Sequence, residues 1–107
     1  MPYTSIDQFL EDLPRLAQEH RADLAGRSAR LLFDFKQGRK VFVTLENGEL
    51  TLAQEASAAP ETTILADEND LLSMLAGRLS PMKAIMLGKV KIKGNPKPLM
   101  ELIGLIR

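Results

Sequence analysis

The chain has no cysteine and no tryptophan, and it holds one histidine, one tyrosine and four phenylalanines in 107 residues. Without thiols there are no disulfides, no thiolate nucleophile and no cysteine-ligated zinc. The lone His20 stands beside Glu19, Arg21 and Asp23, with no nucleophile motif to complete a catalytic set, so it reads as a surface residue. No phosphate cradle is present either, because Gly88 and Gly94 flank a strand instead of clustering at a strand-to-helix turn. The apolar runs fall far short of the ~18 residues of a membrane span. The opening MPYTSIDQFLEDL lacks the basic start and apolar block of a signal peptide. A cytoplasmic protein in reducing surroundings is expected.

What is present is aliphatic. Hydrophobic residues make up 45% of the chain while aromatics make up 5%. The length suits a single domain, 1–107, and a domain near this size buries roughly two thirds of the surface its unfolded chain exposes. Net charge is zero but unevenly distributed. Residues 1–43 carry +1, residues 44–77 carry seven acids and no base, and residues 78–107 carry seven bases and one acid, Glu101. Such polarity can orient a molecule against an anionic surface. Two solvated faces of opposite sign is the plainer reading.

Ser5-x-x-Gln8 is a capping-box pattern, followed at helical spacing by Ile6, Phe9, Leu10 and Leu13. Pro14 has no N–H for Leu10 and is expected to end or kink that helix, leaving Leu16, Ala17, His20 and Leu24 for a second short turn. From Ser28 the period becomes two. Leu31, Phe33 and Phe35 alternate with Leu32, Asp34 and Lys36; Gln37-Gly38 turns the chain into Val41, Val43 and Leu45; Asn47-Gly48 turns it again into Leu50 and Leu52. After the polar connection QEASAAPE, Thr63–Ala66 reads as a fourth strand. Asp67 caps a helix that Gly77 stops, and Ser80-Pro81 opens another that ends at Gly88. Lys89–Lys93 is a strand, and Asn95-Pro96 opens a final helix through Leu99, Leu102, Ile103 and Ile106. The order predicts an α+β fold, with helices gathered on one face of a mostly antiparallel sheet.

Asp67, Glu68 and Asp70 have the composition of a metal site, yet all three fall in the first helical turn, where carboxylates complement free N–H groups. No metal is implied. Lys89, Lys91 and Lys93 point to one side of their strand, with Val90 and Ile92 on the other. No aromatic side chains are interleaved for base stacking, so no nucleic-acid partner is expected. Edge protection is the plain account of this comb, and contact with anionic lipid headgroups is the functional one. Met74, Met82, Met86 and Met100 lie on the late helices; methionine fills irregular cores, and it also suits pockets for variable apolar ligands.

The chain resembles the sterol carrier protein 2 (SCP2) lipid-transfer domain in its stand-alone prokaryotic form. The resemblance rests on Leu13-Pro14, RLLFDFKQGRKVFVTLENGELTL, ETTILADENDLLSMLAGRLSPMKAIMLGKVKIKGN and the closing apolar helix, and covers roughly Ser5 to Ile106. It implies a five-stranded sheet with helices on one face around an apolar tunnel, no catalysis and no cofactor. The implied ligands are fatty acids, fatty acyl-CoA, sterols or isoprenoid lipids. Carried over, the tunnel lining is Leu71, Leu75, Met82, Ile85 and Met86, faced by Phe33, Phe35 and Val43 on the sheet and by Leu99, Leu102 and Ile103 on the last helix. Met82, Ile85 and Met86 stand where aromatics are frequent in the family. The chain also reaches Arg107 without the tripeptide that directs eukaryotic relatives to peroxisomes. The alternative that the resemblance allows is an accessory protein with a filled tunnel, serving a lipid- or quinone-metabolism enzyme.

Overall fold

The computed structural model describes residues 3–55 and 58–105. Helix α1 spans Ile6–Glu19. Its start is fixed by Ser5 Oγ, which accepts the Gln8 N–H at 3.2 Å, while Gln8 Oε1 accepts the Thr4 N–H at 2.9 Å. The expectation that Pro14 ends or kinks this helix is corrected as to its end: the helix continues through Pro14, and Leu16 and Ala17, expected in a second turn, extend its buried stripe of Ile6, Phe9, Leu10 and Leu13. An interior proline costs ~3 kcal/mol. Burying Leu16 recovers about 1.5–3 kcal/mol, and Ala17 and the remaining backbone bonds add to that. Tertiary burial outweighs local propensity here. The short α2, Arg21–Leu24, follows and buries Leu24.

Strands β1 (Ser28–Phe35), β2 (Lys40–Glu46) and β3 (Glu49–Ala53) form an antiparallel meander. Its second turn has Asn47 at φ 51° and Gly48 at φ 81°, the two positive values a type I′ turn requires. Strand β4 (Thr62–Ala66) then lies parallel to β1 on its other side, with Phe33 opposite Ile64. Helices α3 (Glu68–Leu75) and α4 (Pro81–Met86) intervene before β5 (Val90–Gly94), which runs antiparallel to β4. Helix α5 covers Lys97–Leu105; the expected terminal residue Ile106 and the linker residues Ala56 and Ser57 lie outside the described residues. The sheet order is β3-β2-β1-β4-β5, with one parallel pair, so the fold is α+β as the sequence predicts.

Strand alternation decides which face is covered. Leu31, Phe33 and Phe35 of β1, Val41 and Val43 of β2, Ile64 and Ala66 of β4 and Val90 of β5 are buried beneath the helices. On the opposite face Leu32, Phe42 and Leu65 are half-buried, and Lys91 and Lys93 are exposed. One contiguous core runs from Tyr3 to Ile103. At its centre the Phe33 ring lies parallel to Phe35 with centroids 6.0 Å apart and edge-on to Phe9 at 6.4 Å. Among the described residues Thr62 is the one buried polar side chain, and its hydroxyl donates to the Asn95 carbonyl at 2.6 Å. That bond ties the start of β4 to the lead-in of α5.

Candidate functional site

Eight of the eleven expected ligand-lining residues meet in one buried layer between sheet and helices. Phe33, Phe35 and Val43 rise from the sheet; Leu71 and Leu75 descend from α3; Leu99, Leu102 and Ile103 descend from α5. Phe33 and Leu71 are fully inaccessible, so no gap of water size adjoins either side chain. The layer is close-packed by the protein's own atoms at that depth. The other three, Met82, Ile85 and Met86 on α4, are exposed on the molecular surface and are not brought to the layer in this conformation.

The layer opens toward α2 and α5. A cleft of about 210 Å³ lies there, floored by Ala29 and Leu31 of β1, Val43 and Leu45 of β2, and Leu50 of β3. Leu24, Pro98, Leu102 and Leu105 wall it, and its only charged lining residues are Asp23, Arg27 and Glu101. Arg27 Nη1 donates to Glu101 Oε2 at 2.7 Å, joining the chain before β1 to α5. Both partners are well exposed, so this pair adds little stability. Of the residues forming the cleft, Val43 and Leu102 are the two that the resemblance implies as tunnel lining. The missed signal is Ala29. Along the inner face of β1 the side chains run Ala29, Leu31, Phe33, Phe35, shrinking toward one end, and Ala29 faces Leu45 across the β1–β2 pair. A small residue on an otherwise bulky inner face leaves room.

The acidic cluster at the head of α3 is a cap. Asp67 Oδ1 accepts the Asn69 N–H at 2.7 Å, and Oδ2 accepts from Gln37 Nε2 at 2.8 Å. The Asn69 amide, and after it the Gln37 side chain, hold the Asp67 carboxyl below its ordinary range. Among the described residues no group of three or more His, Asp or Glu side chains is arranged to hold a metal ion. His20 closes the end of α1, with Nδ1 3.7 Å from Asp23. Because the folded-state pKa of Asp67 is depressed, its stabilisation is present above the usual carboxylate range and is lost as pH falls below about 4. Asp67→Asn, which keeps a capping side chain, should therefore flatten the acid limb of stability in urea titrations between about pH 5 and pH 2.5. Combined with Asp70→Asn it should leave ligand binding unchanged. Loss of binding in a folded double variant would make the cluster functional.

Lys89, Lys91 and Lys93 are exposed; Lys91 lies opposite Leu65 and Lys93 opposite Thr63 on the sheet face away from the buried core. Val90 points inward and is fully buried.

A five-stranded sheet of this order, with its helices on one face, is the fold shared with solved SCP2 structures. A palmitated SCP2L2 from Aedes aegypti matches with a TM-score of 0.63 over 97% of this chain and 96% of its own, at 17% identity. A double mutant of the sec-alkyl sulfatase PisA1 from Pseudomonas sp. matches with a TM-score of 0.83 at 27% identity, over 92% of this chain but 16% of that one. The sterol carrier protein 2 of Gallus gallus is 33% identical over 60 residues, which is 56% of this chain and 11% of the relative. The chain thus spans about a tenth of the length of the curated relatives it matches. The SCP-2 sterol transfer family model matches residues 7–107. The chain belongs to that family.

Proposed function

We propose that this chain binds a single-tailed lipid, such as a fatty acid, fatty acyl-CoA or another apolar chain, and carries it without chemical change. The observation that carries this reading is the cleft under α5, apolar along its walls, charged only at its mouth, and continuous with the buried layer. The palmitate of the Aedes relative supports an acyl tail as the ligand class. At about 210 Å³ the cleft falls short of the ~300–1,000 Å³ usual for a small-molecule site. It admits the end of a tail, and a full tail requires α5 to lift from the sheet. Then Phe33, Val43, Leu99, Leu102 and Ile103 would line the inner path, with Leu71, Leu75 and Phe35 at its far end, while Met82, Ile85 and Met86 of α4 stay on the outer surface.

Burial supplies a driving force of the right order. About 15 methylenes at ~0.8 kcal/mol each give roughly 12 kcal/mol gross. Lost freedom and the lifting of α5 oppose this by several kcal/mol, and micromolar affinity needs about 8 kcal/mol. No polar anchor is required, consistent with a sequence so poor in chemical motifs. A fluorescent fatty acid should bind and be displaced by unlabelled fatty acid. Ala29→Trp fills the cleft and should weaken binding at least about tenfold (a lost burial of two or more methylenes), while Asp67→Asn does not. Binding that Ala29→Trp leaves unchanged would remove the cleft from the ligand path.

A second reading is favoured by the dense packing around Phe33 and Leu71 and by the likeness to part of an alkyl sulfatase chain. In it the fold is an accessory module with a filled interior, serving an enzyme that handles alkyl chains. No fatty-acid binding up to the solubility limit would decide for it.

A further inference from the structure

Helix α4 inverts the usual arrangement of a surface helix. It turns only Ala84 into the core, while Met82 and Met86 are 73% and 80% exposed and Ile85 and Leu87 are 42% and 59% exposed. Met82, Ile85 and Met86 stand at i, i+3 and i+4, so they form one stripe, and this stripe faces water. A contiguous apolar patch of this kind marks an interaction surface. Cations surround it in sequence. Arg78 precedes α4, Lys83 lies within it, Lys89 follows in the turn before β5, and Lys91 and Lys93 lie on that adjoining edge strand; all five are exposed, and none makes an ion pair among the described residues. The one acid of the last thirty residues, Glu101, is engaged by Arg27.

We propose that the α4–β5 corner docks on the surface of an anionic lipid bilayer, with Met82, Met86 and Leu87 set into the boundary between headgroups and acyl chains and the lysines at phosphate level. Charge selects this occupant. Five unpaired cations disfavour a second copy of the same patch, since a two-fold dimer would place like charges face to face. This surface is independent of the cleft, so docking is measured without added fatty acid and its failure is separate from failure of ligand binding.

The test is co-sedimentation of the protein with vesicles of phosphatidylcholine alone or with about one third phosphatidylglycerol, at about 50 and about 500 mM salt. Binding is expected to the anionic vesicles only and to weaken at high salt. Met82→Ser with Met86→Ser, and separately Lys83→Glu with Lys89→Glu, should each lower partitioning about tenfold or more. All four side chains are exposed, so melting curves should stay unchanged. Absence of binding, equal binding to both vesicle types, or variants that partition like the parent would overturn the proposal. A dimer in size-exclusion chromatography that the methionine variant dissociates would assign the patch to a second copy and would overturn it as well.

Discussion

Phe33→Ala is expected to lower unfolding free energy by about 3–5 kcal/mol, the largest effect of any single change considered. Phe33 is fully buried on the central strand, parallel to Phe35 and edge-on to Phe9. Removing the ring deletes its burial and both aromatic contacts, and it opens a hole that α1, α3 and the sheet cannot jointly close. A domain of this size commonly has only 5–15 kcal/mol in total, so Phe33→Leu serves as the milder companion. Urea denaturation measures both. The hole also lies on the proposed inner path of the lipid tail. Saturating fatty acid should restore part of the lost stability, because a ligand that binds only the folded state stabilises it by mass action. A parent-like urea midpoint for Phe33→Ala would mean that this layer is not the close-packed centre of the molecule.

Gly94→Ala should cost about 2–4 kcal/mol, from backbone strain and a contact that cannot relax cheaply. Gly94 ends β5 at φ +86°, and a Cβ there would stand 2.2 Å from the Glu61 carbonyl oxygen. The obstacle is backbone, so no rotamer change relieves it. The β5 end must move away from β4, losing the Thr62–Gly94 register and straining the adjacent bond from the Thr62 hydroxyl to the Asn95 carbonyl. Gly38→Ala is the control: Gly38 also has positive φ, but nothing lies within 4 Å of an added Cβ, so only the conformational cost of about 1 kcal/mol applies. Equal urea midpoints for the two variants would show that the close approach at Glu61 does not determine the cost.

Most of the fold was legible because local signals agree with the tertiary result. Alternation in Leu31–Phe35, the Asn47-Gly48 turn, and the caps at Ser5, Asp67 and Ser80 each place an element within a residue or two of its observed bounds. Pro14 misled because its local cost is visible in the sequence, whereas the burial of Leu16 and Ala17 depends on packing partners far along the chain. The site was less legible for a related reason. Apolar spacing on α4 says that Met82, Ile85 and Met86 share a face but not whether that face looks inward, and Ala84 alone fills the inward position. The cleft owes its room to a small side chain, Ala29, and an absence of bulk carries no motif.

The parallel pairing of β1 with β4 has a consequence for assembly. The meander needs only tight turns between neighbours, whereas the chain after β3 must cross both β2 and β1 and return to the start of β1 before β4 can pair with it. Loop-closure entropy therefore weighs on the later half of the molecule, the half that supplies α3, α4, β5 and α5. Partial opening is expected first in the elements proposed to admit the tail and meet the bilayer, which hydrogen exchange would read as lower protection there than in the hairpins.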